Sequence, residues 1–235
     1  MGKQTKSKSK KVTLASTGLE LRRIDPLTLN QEVAFESDKH LVLHGLAGTG
    51  KTFISMYLAL REIESFYAKK VVVIRSAVPT RDIGFLPGGE KEKTAIYEEP
   101  YKEVCDNLFG RGDAYSILKS HRVLEFMTTS FIRGITLDDA VIVVDECQNM
   151  SLHELDSIIT RVGTDCRIMF CGDFRQSDLD KHQSGLKEFF HILEKMDSFT
   201  FVDFQIADIV RSNFVKQYIL AKHGYGPSEV REDRV

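Results

Sequence analysis

The stretch LVLHGLAGTGKT, residues 41–52, joins an apolar, strand-forming segment to a glycine-rich turn that ends in Lys51 and Thr52. The turn matches G-x-x-x-x-G-K-T in full, and a helical pattern follows it. In such a turn successive backbone N–H groups point at phosphate oxygens, the lysine reaches the β- and γ-phosphates, and the hydroxyl ligates Mg²⁺. The sequence therefore predicts a phosphate-binding loop formed by Gly45, Leu46, Ala47, Gly48, Thr49, Gly50, Lys51 and Thr52.

A second apolar segment, VIVV at 141–144, ends in two adjacent carboxylates, Asp145 and Glu146. A carboxylate at the end of a buried strand is costly unless it meets a cation or hydrogen-bond donors. Beside a phosphate-binding loop, Asp145 is expected to hold Mg²⁺ directly or through water, and Glu146 to orient or deprotonate an attacking water. The adjacent Glu146 favours hydrolysis over phosphate transfer to a small molecule.

Short apolar segments alternate with helical patterns along the rest of the chain. Because the segments are apolar on both faces, they suit strands covered by helices on each side. This alternation predicts an α/β fold with a three-layer, doubly wound, mostly parallel sheet. The expected strands are 41–44, 71–74, 141–144, 167–171 and 199–204; the expected helices lie near 52–66, 93–108, 151–162, 184–196 and 207–221.

Two local features add detail to this pattern. Ser151 stands three residues before Glu154, which is the spacing of a capping box at a helix start. Long connections at 75–92 and 109–135 interrupt the alternation, and the first is expected to be a surface loop.

The composition is that of a globular protein, with 42% apolar and 28% charged residues over 235 positions. No apolar run is long enough to suggest a membrane span, and the amino terminus lacks the apolar stretch of a secretory signal. The four cysteines form no C-x-x-C pair, so they are expected to be reduced thiols of a cytoplasmic protein.

Charge is uneven along the chain. Five lysines stand before the first acidic residue, Glu20, although the whole chain has a net charge of −2. Short Lys/Ser tails are usually solvated, so residues 1–18 are predicted to be a basic disordered tail. Residues 19–235 are predicted to form a single domain.

Several stretches together resemble the PhoH-like proteins, which are P-loop ATPases similar in fold to the first motor domain of superfamily 1 helicases. The resemblance implies a RecA-like, helicase-like core that uses ATP and Mg²⁺ and hydrolyses ATP, with RNA or single-stranded DNA as a partner. It also implies a homo-oligomer, with a hexameric ring favoured. The stretches are DPLTLNQ (25–31), GLAGTGKT (45–52), GFLPG (84–88), FIRGITLDDAVIVVDECQN (131–149), CGDFRQSDL (171–179), SGL (184–186) and DIVR (208–211).

The resemblance also implies roles for single residues. Gln31 matches a glutamine that reads the adenine edge, with a helix-surface amide as the alternative. Gln176 matches the amide that senses the γ-phosphate, and Asp173 in the same loop braces structure. Arg211 matches an arginine finger, within its own subunit or on a neighbour; the alternative is a helix-surface arginine paired with Asp208.

Basic residues elsewhere carry weaker implications. Arg133 is expected either to contact phosphate or to brace structure, with no preference between the two. Arg75, Arg81, Lys91 and Lys93 lie where helicase relatives face a nucleic-acid strand. Ser76, Arg175 and Cys147 depart from the usual family pattern.

Two other functions remain open at this point. A thymidine-type deoxynucleoside kinase also combines a phosphate-binding loop with a DE-x-Q segment, but it typically has paired zinc cysteines. A nucleotide-gated binding module would bind ATP without hydrolysing it, and the complete set of Lys51, Asp145 and Glu146 argues against that.

Overall fold

The computed structural model describes residues 14–76, 90–173 and 184–225, with only the backbone described at 90–94 and 184. Most of the predicted tail, the greater part of the first long connection and Gln176 therefore lie outside the described residues. The predicted tail, residues 1–18, is too long at its end. Leu14–Thr17 form a 3-10 helix, and Leu14 is only 2% exposed because it packs into the core.

In the part of the chain that the structure describes, six strands form one sheet. They are β1 (His40–Gly45), β2 (Lys70–Arg75), β3 (Leu124–Thr128), β4 (Ala140–Asp145), β5 (Arg167–Gly172) and β6 (Phe199–Phe204). Their order is β3-β2-β4-β5-β1-β6, and every neighbouring pair is parallel. The strand that leads into the phosphate loop and the strand that ends in Asp145 are not adjacent, since β5 lies between them.

Helices cover both faces of the sheet, which confirms the three-layer prediction. Side chains alternate between faces along each strand, so Val141 and Val143 of β4 contribute to one core while Ile142 and Val144 contribute to the other. The α-helices in the described residues are α1 (Leu29–Glu36), α2 (Lys51–Glu64), α3 (Glu90–Phe109), α4 (Ala114–Ser120), α5 (Leu152–Ile159), α6 (Ser184–Leu193) and α7 (Asn213–Lys222). The first core includes α2, α3 and α4, and the second includes α5 and α6.

Of the numbered strands and helices, three were not predicted from the sequence. The connection 109–135 contains α4 and the edge strand β3, whose LEFMT sequence lacks the uniform apolar character of the central strands. The third is the short helix α1, in which only Gln31 and Ala34 are buried, so its apolar residues form no continuous stripe.

The predicted helix near 207–221 is wrong in its first part. A 3-10 helix at Ile206–Asp208 comes first, and α7 begins only after Ser212, whose side chain accepts a hydrogen bond from the Val215 amide. The capping box at α5 is confirmed, because Ser151 and Glu154 hydrogen-bond each other's backbone N–H groups. Among the described residues, no helix has the length and apolar character needed to cross a membrane.

Candidate nucleotide-binding site

The phosphate loop runs from the end of β1 at Gly45 to the start of α2 at Lys51. Gly45 has φ = 127°, and a Cβ there would lie 2.1 Å from the carbonyl oxygen of Phe204 in β6. Only glycine therefore fits where the loop leaves the sheet. The predicted strand–loop–helix context is confirmed.

Lys51 is folded back into this loop. Its Nζ donates to the carbonyl oxygens of Gly45 at 2.9 Å and Leu46 at 2.7 Å. Burial lowers the pKa of Lys51, and nearby acids, chiefly Asp173, act in the opposite direction. Neutral carbonyl oxygens thus hold the ammonium group in the loop. A phosphate can replace them as the hydrogen-bond acceptors of Lys51.

Asp145, the last residue of β4, is only 4% exposed and is held by two hydroxyl groups. Thr52 Oγ1 donates to Oδ1 at 3.0 Å, and Tyr101 Oη donates to Oδ2 at 2.9 Å. Burial raises the pKa of Asp145, as does the neighbouring Glu146, while the two hydroxyl groups oppose that rise. The N-terminus of α2 thus brings Thr52 to the carboxylate across the tip of β5.

The donor set at this point suits Mg²⁺. It combines one carboxylate with one hydroxyl group 3.0 Å away, beside a loop shaped for phosphates. Within the described ranges, no cluster of three or more His, Cys, Asp or Glu side chains could hold a metal. A metal ion here would take its other ligands from phosphates and water, as Mg²⁺ commonly does.

Glu146 directly follows the metal-site carboxylate in a left-handed backbone conformation, with φ = 54° and ψ = 43°. Such a conformation is uncommon for a residue other than glycine and requires support from its surroundings. The Asn149 amide donates to the Glu146 carbonyl at 2.9 Å and closes the turn. Gln148 holds the side chain: its Nε2 donates to Glu146 Oε2 at 2.5 Å, and its Oε1 accepts from the Asp173 amide at 3.2 Å. The DE-x-Q spacing is the signal that could have identified Gln148 from the sequence.

Gln31 lies behind the phosphate loop and is 4% exposed, so the helix-surface alternative is wrong. Its Nε2 donates to the Thr49 carbonyl at 3.3 Å, and its Oε1 accepts from the Leu27 amide at 2.8 Å. The amide therefore ties α1 to the loop. Its contact with adenine stays a prediction.

Arg211 lies between the 3-10 helix and α7, and its side chain is exposed. A Cβ at Gly48 would lie 2.8 Å from Arg211 Cγ, so the stem of the arginine runs along the phosphate loop. Asp208 instead accepts hydrogen bonds from Asn30 Nδ2 and the Gln205 amide, both at 2.7 Å. The alternative of a helix-surface arginine paired with Asp208 is therefore wrong, although the finger role stays a prediction.

Two of the other basic residues, Arg133 and Arg75, have side chains that the structure describes. The Arg133 guanidinium lies 3.1 Å from His153 Nε2 on α5, a contact that favours bracing over phosphate binding. Arg75 ends β2 beside Asp145, with its guanidinium 5.8 Å from the centre of the Tyr97 ring. Arg81 and the side chains of Lys91 and Lys93 lie outside the described residues.

A parallel sheet with a glycine-rich phosphate loop after one strand and an acid at the end of another defines a P-loop NTPase fold. The large terminase from a thermophilic bacteriophage shares this fold at a TM-score of 0.50 and 14% identity, over 83% of this chain and 50% of the terminase. The family model described as "PhoH-like protein" matches residues 23–222, and the chain belongs to that family.

Curated relatives agree with this assignment. The chain is 32% identical to a PhoH-like protein of Mycobacterium tuberculosis (strain H37Rv) over 232 residues, covering 96% of this chain and 65% of the relative. It is also 32% identical to one of Bacillus subtilis over 179 residues, covering 75% and 56% respectively. The chain thus spans between half and two thirds of the length of these relatives.

Proposed function

We propose that this protein binds ATP together with Mg²⁺ and hydrolyses the γ-phosphate. The observation that carries the proposal is the convergence of Lys51, Thr52, Asp145 and Glu146 at the carboxyl ends of the strands, although two of them begin α2 and two lie at the end of β4. The three charged side chains, Lys51, Asp145 and Glu146, accept or donate hydrogen bonds with neutral groups rather than with an opposite charge. Such an arrangement suits a charged ligand that brings its own metal ion.

Each residue has a part in the proposed reaction. The loop N–H groups and Lys51 bind the β- and γ-phosphates. Thr52 and Asp145 would hold the Mg²⁺ ion that is bound to these phosphates. Bound Mg²⁺ would neutralise charge on these phosphates. Glu146 accepts a proton from the attacking water, while Gln148 keeps its carboxylate in place.

The test is phosphate release from ATP by the purified chain and by Glu146→Gln. The variant is expected to bind ATP as the wild type does but to hydrolyse it at least about 100-fold more slowly, because it has lost the general base. Glu125→Gln is the matched control, since Glu125 lies on the edge strand β3 and pairs with Lys70 of β2, away from the site. Full turnover by Glu146→Gln would remove that residue from the base role.

We further propose that RNA or single-stranded DNA is the partner whose binding is coupled to hydrolysis. Support comes from the resemblance to the helicase-like family. Phosphate release should be compared with ATP alone, with added RNA, with added single-stranded DNA and with thymidine. Stimulation by thymidine together with formation of thymidine phosphate would instead support a thymidine-type kinase.

We also propose that the protein assembles as a ring, with a hexamer favoured. Arg211 is exposed beside its own phosphate loop, and Phe214 and Tyr218 of the neighbouring α7 are 80% and 66% exposed. Large apolar side chains exposed together on one helix suit a protein interface. Light scattering with ATP and Mg²⁺ measures the mass, and a monomer with full turnover would contradict the proposal.

The cytoplasm is the proposed location, because all four cysteines are free thiols.

A further inference from the structure

One contact of the site comes from an element outside the phosphate loop and the acidic strand. Tyr101, on α3, is fully buried, and its hydroxyl group donates to Asp145 Oδ2 at 2.9 Å. A buried tyrosine hydroxyl normally has a partner, and here the partner is the carboxylate proposed to face the metal ion. Tyr101 is therefore connected to the chemistry of the site through Asp145.

The hydroxyl groups of Thr52 and Tyr101 each donate to a different oxygen of the Asp145 carboxylate. Thr52 approaches Oδ1 from the N-terminus of α2, and Tyr101 approaches Oδ2 from α3. Since each oxygen has its own donor on a different helix, rotation of the carboxylate would break both hydrogen bonds. Oδ1 is therefore the oxygen tied to Thr52, the last residue of the phosphate-loop motif, and Oδ2 is the oxygen tied to α3.

Tyr101 is itself held in place by neighbouring elements. Its ring packs against Phe126 of β3, with 5.7 Å between the ring centres. One helical turn earlier, Tyr97 lies beneath the guanidinium of Arg75, and Arg75 is the register partner of Asp145 on the adjacent strand. The sheet and α3 thus fix the direction from which the phenol reaches Asp145.

We propose that Tyr101 is a positioning residue that keeps Asp145 Oδ2 engaged, so that only one oxygen of Asp145 is offered to the metal ion of the bound nucleotide. This inference rests on the proposed function. A single carboxylate oxygen suits Mg²⁺, which keeps octahedral geometry and several waters, whereas Ca²⁺ readily takes both oxygens of a carboxylate. Partners that orient a metal ligand in this way commonly change metal affinity 10- to 100-fold when removed.

The experiment measures binding of a fluorescent, non-hydrolysable ATP analogue in EDTA and at a series of free Mg²⁺ or Ca²⁺ concentrations. The half-point of a metal is the concentration at which its effect on the affinity for the analogue is half-maximal. Tyr101→Phe is expected to raise the Mg²⁺ half-point about tenfold. Its affinity in EDTA should stay within about twofold of wild type, since the phosphate loop is untouched. The Ca²⁺ half-point should rise less than the Mg²⁺ half-point, because the freed oxygen can serve Ca²⁺.

Tyr115→Phe is the matched control. Tyr115 is also buried, but its hydroxyl group donates to Glu98 at 2.6 Å, so its loss should leave both metal half-points unchanged. A purely structural contribution of Tyr101 would lower the melting temperature and the EDTA affinity without separating the two metals.

The outcomes distinguish this inference from the function on which it rests. A wild-type Mg²⁺ half-point in Tyr101→Phe would overturn the inference alone, whereas no Mg²⁺ effect on the wild-type chain would overturn the metal site as well. If Tyr101→Phe does not fold, Phe126→Leu is the second variant, because it removes the ring that packs against Tyr101. An unchanged Mg²⁺ half-point in Phe126→Leu would overturn the inference.

Discussion

The two ends of the sheet treat charge in opposite ways. At the amino ends of the strands, charges are neutralised within the chain: Arg167 pairs with Glu62, Lys70 with Glu125 and Lys69 with Asp139. At the carboxyl ends, Lys51 donates to backbone carbonyls, and Asp145 accepts from hydroxyl groups. In the described part of the chain, neither of these two forms an ion pair.

This difference indicates which end of the sheet is built for a ligand. A buried charge without an opposite charge is costly, and neutral hydrogen-bond partners offset only part of that cost. A phosphate and its metal ion would supply the missing charges. The amino ends contribute to stability, and the carboxyl ends keep their charges available for binding.

The largest expected effect concerns Arg211, an exposed cation beside the phosphate loop. Arg211→Ala should lower turnover about a thousandfold, the low end of the range for an arginine finger, because charge developing on the γ-phosphate is no longer neutralised. Phosphate release is the measurement. Mixing the variant with wild-type chain distinguishes action within a subunit from action across an interface, and a linear fall in activity with variant fraction would exclude sharing.

Removal of the phosphate-loop lysine, Lys51, should have the second-largest effect. Lys51→Ala is expected to weaken ATP binding at least about 100-fold, roughly 3 kcal/mol, since the phosphates lose their nearest charge-assisted contact. Fluorescence titration with an ATP analogue measures this. Lys70→Ala, which removes a paired lysine at the amino ends, should bind like wild type. Equal losses in the two variants would abolish the distinction between the two ends.

The free energy of unfolding should depend on the ion pairs at the amino ends of the strands, in contrast to nucleotide binding. Arg167 donates to Glu62 and to the carbonyl oxygens of Ser37 and Lys39, both at 2.7 Å. Arg167→Ala is expected to lower the free energy of unfolding by about 3 kcal/mol, because it leaves a largely buried carboxylate unpaired.

Denaturant unfolding measures this loss, and nucleotide affinity should not change. The control Arg23→Ala removes an exposed pair with Asp25 and should cost less than about 1 kcal/mol. A larger loss in Arg23→Ala than in Arg167→Ala would be inconsistent with a stabilising role for the amino ends.

A smaller effect concerns Glu154, a carboxylate that, like Asp145, accepts hydrogen bonds from hydroxyl groups. Glu154 accepts from Ser76, Thr129 and Ser151, and burial raises its pKa, but these hydrogen bonds outweigh burial and lower the pKa below its ordinary value of 4.5. Glu154→Gln should cost about 2 kcal/mol at neutral pH.

The stability from Glu154 is fully present above pH 4.5 and is lost as the pH falls through the lowered folded-state pKa. Urea unfolding across this range should therefore show the wild type and Glu154→Gln converging below pH 4.5. A difference that persists at lower pH would show that the ionised carboxylate does not provide this stability.

The accuracy of the sequence predictions depended on how local their causes were. The loop from Gly45 to Thr52 and the capping box at Ser151 were predicted, because neighbouring residues determine backbone conformation there. The edge strand β3 was missed because pairing with β2, rather than an apolar pattern, makes it a strand. Gln176 and the connection 77–89 lie outside the described residues, so their predictions stay predictions.

The sequence by itself determined the parallel α/β architecture, the phosphate loop and the acid at the end of β4, since apolar periodicity and short motifs act over neighbouring residues. The tertiary structure alone decided that Tyr101 reaches Asp145, that Gln31 lies behind the loop and that Arg211 runs along Gly48. Each of these contacts joins elements far apart in the chain, and only packing of the helices on the sheet brings them together.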